Sequence, residues 1–595
     1  MISTLLATLL AAFSIIPAPK TVQPAEGTFA LSAATVVVAE AKDFTEVAED
    51  FVQAVNRATG FSLSVQKSGS SKIVLSYDKK LPAEGYVLDV SKKAVKIKAS
   101  DRSGAFYALQ SFLQLLPADI YARTPVANVT WEAPCCRIED APAFPYRGMH
   151  LDVGRYYYPV ETIKRFLDVM AMHKQNYLHW HLTEDQGWRI EIKKYPRLTS
   201  VGAWREETCG YGTKGDGKPH GGFYTQDEAR EIVEYARRRC ITVIPEIELP
   251  GHSGAAIAAY PWLSCTPDEP KKVVTSWGVK EDVYIPSPET FRFLEDVFTE
   301  LFDIFPSPYY HIGGDECPRT AWQASEYCKG LAQGQGLASV DDLQYYFVKH
   351  FDTFLREHGK TVIGWDEILD GSAVQTTVVM SYRGHNPAAK AMERGMKTIL
   401  CPNRYFYFDY NQDKVADEPK NHHLFITLRK LYNYDPAQFI PAETWAAGKD
   451  LLLGYQGCLW GEHIPASPRL ETQTHPRAAA AAEVSWSPAS TRNWEDFKLR
   501  MLKEFQRYDV LGVRYSKAYW DVLVNMNLES PYPREVELQL DYPYAQIRYT
   551  MDGTEPTSAS PCYEKPFVVR KGDRLRACGY RADGIAVGEP IDRVF

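Results

Sequence analysis

Clustered positive charge is missing from this chain. Its 67 Lys and Arg stand against 75 Asp and Glu, a net −8 over 595 residues, and the basic footprint that nucleic-acid binding needs is not there. Beyond the first 16 residues no apolar run approaches the about 18 residues of a membrane span. Repeats and low-complexity tracts are also absent. The 11 cysteines are odd in number and lack the paired spacings of a zinc site or a disulfide framework. Adjacent Cys135 and Cys136 cannot easily bridge each other, so mostly free, buried thiols are expected. His179 and His181 have no third ligand at useful spacing. The sequence therefore predicts no metal and no cofactor, and it leaves the oligomeric state open.

Residues Ile2 to Ile16 form an apolar stretch ahead of Pro17-Ala18-Pro19. It resembles the core of a signal peptide, although no basic residues precede it. No Cys follows, which argues against a lipoprotein anchor. The expectation is a leader over 1–18 and an exported protein, periplasmic or extracellular.

What the chain has in plenty is aromatic residues, 13% of the total, with 13 Trp and 36 Tyr. Large cores explain part of this, and flat rings that stack on sugar faces would explain more. The length predicts two to four domains. Residues 21–140 read as an α+β domain. In it Tyr86–Val90 and Ala94–Lys98 alternate like a hairpin, and Asp101–Leu113 has a helical stripe ended by Pro117. From 145 to 515, short apolar runs alternate with amphipathic helices. The expected strands are Gly148–Val153, Tyr177–Leu182, Thr242–Ile247, Tyr309–Ile312, Thr361–Trp365, Thr377–Ser381, Lys397–Leu400 and Leu453–Leu459. Eight strands with helices between them predict an α/β fold, a (β/α)8 barrel. Residues 525–595 alternate again and predict a small β-sandwich, with Met551-Asp552-Gly553-Thr554 as a hairpin turn.

In such a barrel the chemistry gathers at the C-terminal ends of the strands. The fourth strand ends in His311-Ile312-Gly313-Gly314-Asp315-Glu316, paired acids behind two glycines. Paired carboxylates are the usual tools of glycoside hydrolysis. The other strand ends bring His181 through Arg189, Pro245 through His252, Trp365-Asp366-Glu367, Tyr382-Arg383, Tyr407-Phe408-Asp409 and Trp460-Gly461-Glu462. These motifs, with Tyr146-Arg147-Gly148, resemble the family 20 glycoside hydrolases, the β-N-acetylhexosaminidases, over roughly residues 25 to 515. The tail around Ile547–Thr557 also resembles the C-terminal module of many such enzymes.

The resemblance implies an exo-acting enzyme that removes terminal β-GlcNAc or GalNAc from glycans with retention. The substrate's own acetamido oxygen is the nucleophile, so no enzyme nucleophile is needed. Glu316 is then the general acid/base, with a raised pKa. Asp315 stays ionised and orients the acetamide. Tyr407 aims the acetamido oxygen, and Asp185 and His252 form a relay to Glu316, with Glu248 in support. Arg147 holds the 3- and 4-hydroxyls, and Glu462, assisted by Asp409, takes the 4- and 6-hydroxyls. Trp365, Tyr382 and Trp460 wall the acetamide. Tyr382 stands where the family usually has Trp, which implies a wider or more polar pocket. Glu206 and Glu367 receive no role. A lacto-N-biosidase-type enzyme, a sulfo-GlcNAc-preferring sibling and a non-catalytic glycan-binding protein are the alternatives.

Overall fold

The computed structural model describes residues 13–67, 71–412, 425–527 and 530–595. A six-stranded mixed sheet occupies the N-terminal part, and it includes the expected antiparallel pair Tyr86–Val90 and Ala94–Ala99. Helices Lys42–Thr59 and Arg102–Leu115 contact each other and supply Phe51 and Phe112 to its core. Asp101 caps the second helix by accepting from the Gly104 amide.

All eight expected barrel strands form and close in chain order: β1 (Tyr146–Asp152), β2 (Tyr177–His181), β3 (Thr242–Glu246), β4 (Tyr309–His311), β5 (Thr361–Trp365), β6 (Val378–Ser381), β7 (Thr398–Leu400) and β8 (Leu452–Leu459). All neighbours pair in parallel, and β8 returns to β1 through Gly454↔Tyr146 to Leu459↔Leu151. These strands read as nearly unbroken apolar runs because helices cover one face and the barrel core fills the other. The covering helices start where the chain supplies caps. Thr225 and Glu228 make a reciprocal capping box before Gln226–Arg238, and Ser287 caps Pro288–Phe302 with proline in the first turn. Among the described residues no helix is long and apolar enough to cross a membrane.

One expectation needs correction. The residues at 551–554 do turn, with the Asp552 carboxylate accepting from the Thr554 amide at 3.0 Å, but they open a wide connection rather than a tight hairpin, since the chain returns antiparallel only at Cys562, which bridges to Arg548. Strand Ala545–Thr550 pairs instead with Arg574–Arg581, while the next strand, Phe567–Val569, crosses to the other three-stranded sheet and pairs with Arg534–Gln539. Residues 13–18 pack onto the body. Ile15 and Ile16 are fully buried, and Arg500 and Arg507 donate to the Ile15 and Ser14 carbonyls. Residues 1–12, most of the expected leader, lie outside the described residues.

Candidate active site

Strand β4 stops at His311, and the chain then turns across the barrel mouth. Gly313 and Gly314 have φ of 68° and 91°. A Cβ at Gly313 would fall 1.7 Å from Glu248 Oε2, and one at Gly314 would fall 2.9 Å from Ile368 Cγ2. Only glycine fits that path. It lets Asp315 and the next residue, Glu316, face one site, which strand alternation forbids. Asp315 is buried, whereas the Glu316 side chain is 46% exposed. Glu316 and His252 both hold positive φ, 43° and 48°, strain of the kind that concentrates at functional sites.

His252 joins the two acids. Its Nε2 lies 3.6 Å from Asp315 Oδ2 and 3.7 Å from Glu316 Oε2. Its Nδ1 pairs with Glu184 Oε1 at 2.7 Å, with Asp185 Oδ2 farther off at 3.5 Å. The expected relay partner, Asp185, instead accepts the Gly254 amide at 2.8 Å and anchors the short helix Gly254–Ala259 behind His252. Glu184 is thus the direct partner. Its other oxygen meets His181 Nε2 at 3.2 Å, and His181 Nδ1 meets Glu246 at 2.5 Å. Burial opposes charge on His252, yet Glu184 and Asp315 hold its pKa well above the usual histidine range. Burial raises Asp315 to about 6 despite His252 beside it. That raised proton affinity follows from Asp315 being the buried member of the pair. Glu248, expected to support His252, places its carboxylate against Gly313; burial first and Asp315 second raise its pKa well above the carboxylate range.

Arg147 is not at the site. It lies near the start of β1, at the opposite end of the barrel, where its guanidinium bonds Glu84 at 2.8 Å, the Phe144 and Lys174 carbonyls and the Tyr107 hydroxyl. A cation that does sit at the mouth is Arg155, three residues past the end of β1. It bonds Asp152 at 2.9 Å, lies 3.3 Å from Glu184 and 3.4 Å from Glu462, and faces the Trp460 ring at 5.2 Å. Asp152 fixes this corner, since its Oδ2 also accepts the Gly461 amide at 2.8 Å. Asp409 is buried near Glu462; burial raises both pKa values, Asp409's further still through Glu462, while Arg155 moderates that of Glu462.

Four aromatic rings close a circle beside Asp315. Trp365 and Trp460 are 5.5 Å apart, Trp365 and Tyr382 5.6 Å, Tyr382 and Tyr407 6.1 Å and nearly parallel, Tyr407 and Trp460 6.0 Å. The Tyr382 hydroxyl donates to Glu367 at 2.5 Å. Burial, then Asp315, pushes Glu367 to about 8.

Beneath this circle the barrel core holds Glu246. One oxygen accepts from Trp365 Nε1 at 2.8 Å and lies 2.7 Å from His311; the other lies 2.9 Å from His179 and contacts His181. His150 lies 4.0 Å away. The third ligand that sequence spacing did not supply is therefore present in space, since Glu246 groups with His150 and His181 and with His179 and His311. Trp365 Nε1 and His181 Nδ1 already hydrogen-bond this carboxylate, and a metal would have to displace them. Sequence reasoning gave no role to Arg155, Glu184 or Glu246 and did not foresee the Tyr382–Glu367 bond. Arg155 was findable, because it follows the C-terminal end of its strand while Arg147 sits at the start.

Glycosyl hydrolase family 20, catalytic domain, matches residues 144–489, more than half of the chain. The chain belongs to this family. It is a glycoside hydrolase of the β-N-acetylhexosaminidase type. Residues 12–141 match family 20 domain 2, and 536–586 match an Fn3-associated module. A β-hexosaminidase of Porphyromonas gingivalis is 38% identical over 93% of this chain and 71% of its own length. That of Vibrio furnissii is 34% identical over 79% and 76%. The family 20 β-N-acetylhexosaminidase of Streptomyces coelicolor superposes with a TM-score of 0.75 at 29% identity, over 85% of this chain and 97% of its own. The exo-β-N-acetylglucosaminidase of Vibrio harveyi, solved with N-acetylglucosamine, gives 0.75 at 32%, over 85% and 78%.

Proposed function

We propose that this family 20 enzyme removes terminal non-reducing β-GlcNAc or GalNAc by a retaining, substrate-assisted route. The arrangement of the two acids around His252 carries this reading. Glu316, reaching solvent, protonates the glycosidic oxygen as it leaves. Buried Asp315 accepts the acetamide N–H and offsets the positive charge that grows as the acetamido oxygen attacks the anomeric carbon. The bond from ring to leaving group breaks, an oxazolinium forms, and Glu316, now a carboxylate, takes a proton from the water that opens it. Tyr407 aims the acetamido oxygen, and the circle of Trp365, Tyr382, Tyr407 and Trp460 encloses the acyl group and excludes competing water. Arg155, rather than Arg147, holds the ring hydroxyls through its planar fork, and Glu462 with Asp409 takes the remaining ones. His252 and Glu184 set the charge facing Glu316. Export remains part of the proposal.

The deciding experiment compares aryl β-GlcNAc, β-GalNAc and β-glucoside. The expected result is turnover of the first two, with β-glucoside slower by at least roughly a thousandfold, since removing the nucleophile removes most of the chemistry. Comparable rates on glucoside, or a trapped sugar–protein ester, would end this reading.

A further inference from the structure

The mouth of the barrel is built from two excursions of the chain. The one after β3 carries His252 and runs on through Cys265, which follows the turn Pro261–Leu263. The one after β4 carries Asp315 and Glu316 and continues into helix Glu326–Gly334, where Cys328 is fully buried. The sequence placed these cysteines 63 residues apart and gave no reason to pair them. The fold brings Cys265 Sγ to 3.9 Å from Cys328 Sγ. The surrounding backbone is already clasped: Trp322 Nε1 donates to the Tyr284 carbonyl at 2.9 Å, the Tyr327 hydroxyl donates to the Pro286 carbonyl at 3.3 Å, and Ser264 bridges to Tyr284. A disulfide has sulfurs about 2 Å apart, so about 2 Å of sulfur travel separates the thiols from a bond.

We propose that Cys265 and Cys328 form a disulfide that staples the His252 excursion to the Asp315–Glu316 excursion. Cys265 is partly exposed and Cys328 is buried, so Cys265 is the sulfur that meets an oxidant. With a small-molecule disulfide as oxidant, the Cys265 thiolate attacks one oxidant sulfur and displaces the other as a thiol. Cys328 then, as thiolate, attacks Cys265 Sγ and releases the second oxidant thiol. Two S–H bonds are lost and one S–S bond forms; two electrons and two protons pass to the oxidant, which leaves as two thiols. The staple closes a loop of some sixty residues, long enough for a large effect on the unfolded chain.

The test uses the full chain, fully reduced and then incubated with oxidised glutathione. Free thiols are titrated in denaturant, peptides are mapped without reduction, and melting is followed before and after. Of the 11 thiols in the sequence, two should be lost without glutathione remaining attached. A peptide carrying Cys265 should be linked to one carrying Cys328, and Tm should rise by roughly 5 °C. Cys265→Ser should lose no thiol pair and gain no Tm; because Cys265 is partly exposed, this variant avoids a cavity at buried Cys328. The proposal is overturned if both cysteines stay reduced, if Cys265 stops at the glutathione adduct, or if the link forms and the melt does not move. None of these readouts depends on which glycoside the enzyme cleaves.

Discussion

Replacing either arginine of the first barrel strand region separates binding from folding. Arg155 lies at the mouth among Asp152, Glu184 and Glu462. In the proposed complex its fork gives two charge-assisted hydrogen bonds to ring hydroxyls. Each is worth about 1.5–3 kcal/mol, so their joint loss amounts to about 3–6 kcal/mol, a fall in kcat/KM of roughly 10² to 10⁴. Arg155→Met keeps much of the volume and should show this loss on aryl β-GlcNAc. Arg147 is just as buried but serves another purpose. Its guanidinium bonds Glu84 from the N-terminal domain and caps the Phe144 and Lys174 carbonyls. Arg147→Met leaves those groups unpaired at the domain junction, a cost of about 3–5 kcal/mol in stability, while the kcat/KM of the folded fraction changes by less than roughly threefold. Kinetics on thermally screened, folded protein and a melting curve for each variant make the comparison. A folded Arg147→Met enzyme with a hundredfold loss of kcat/KM, or an Arg155→Met enzyme with full activity, would refute the assignment.

Asp315, at about 6, should give kcat/KM an acid limb that rises through pH 6 as it ionises, and Asp315→Asn should abolish both the limb and most of the activity. The same shift has a stability sign. A folded pKa above the unfolded value means that ionisation is disfavoured in the fold, so the penalty is absent below about pH 4, grows through pH 6 and is complete above it. Asp315→Asn should therefore melt higher at pH 7, by up to about 3 kcal/mol, and show no gain at pH 3.5; equal melts at both pH values would contradict this. Glu367, at about 8, should lose its proton above that pH and place a second negative charge beside Asp315, so activity should decline there, and Glu367→Gln should remove that decline. Tyr382→Trp should fill the polar wall formed by Tyr382 and Glu367 and lower the ratio of N-propionyl to N-acetyl turnover by roughly tenfold; an unchanged ratio would mean that Tyr382 does not bound the acyl group.

The eight strands were legible because a strand buried on both faces leaves an apolar run, and that run survives as a local pattern in the sequence. The paired acids were legible for a similar reason, since Gly313-Gly314 marks the break that lets Asp315 and Glu316 face one way. Roles that depend on which end of a strand a side chain occupies were less secure, and Arg147 was placed at the wrong end although its position at the start of β1 was already readable. The Glu184–His252 contact, the Glu246 cluster and the nearness of Cys265 to Cys328 join residues from different strands and excursions. Sequence spacing does not encode such distances; they are set by barrel closure, which fixes how strand ends meet across the mouth. The chain by itself thus specified the elements and the acids, and only tertiary packing decided their partners, because an imidazole or a guanidinium takes its charge and orientation from whatever buried group the closed barrel brings within about 3 Å of it.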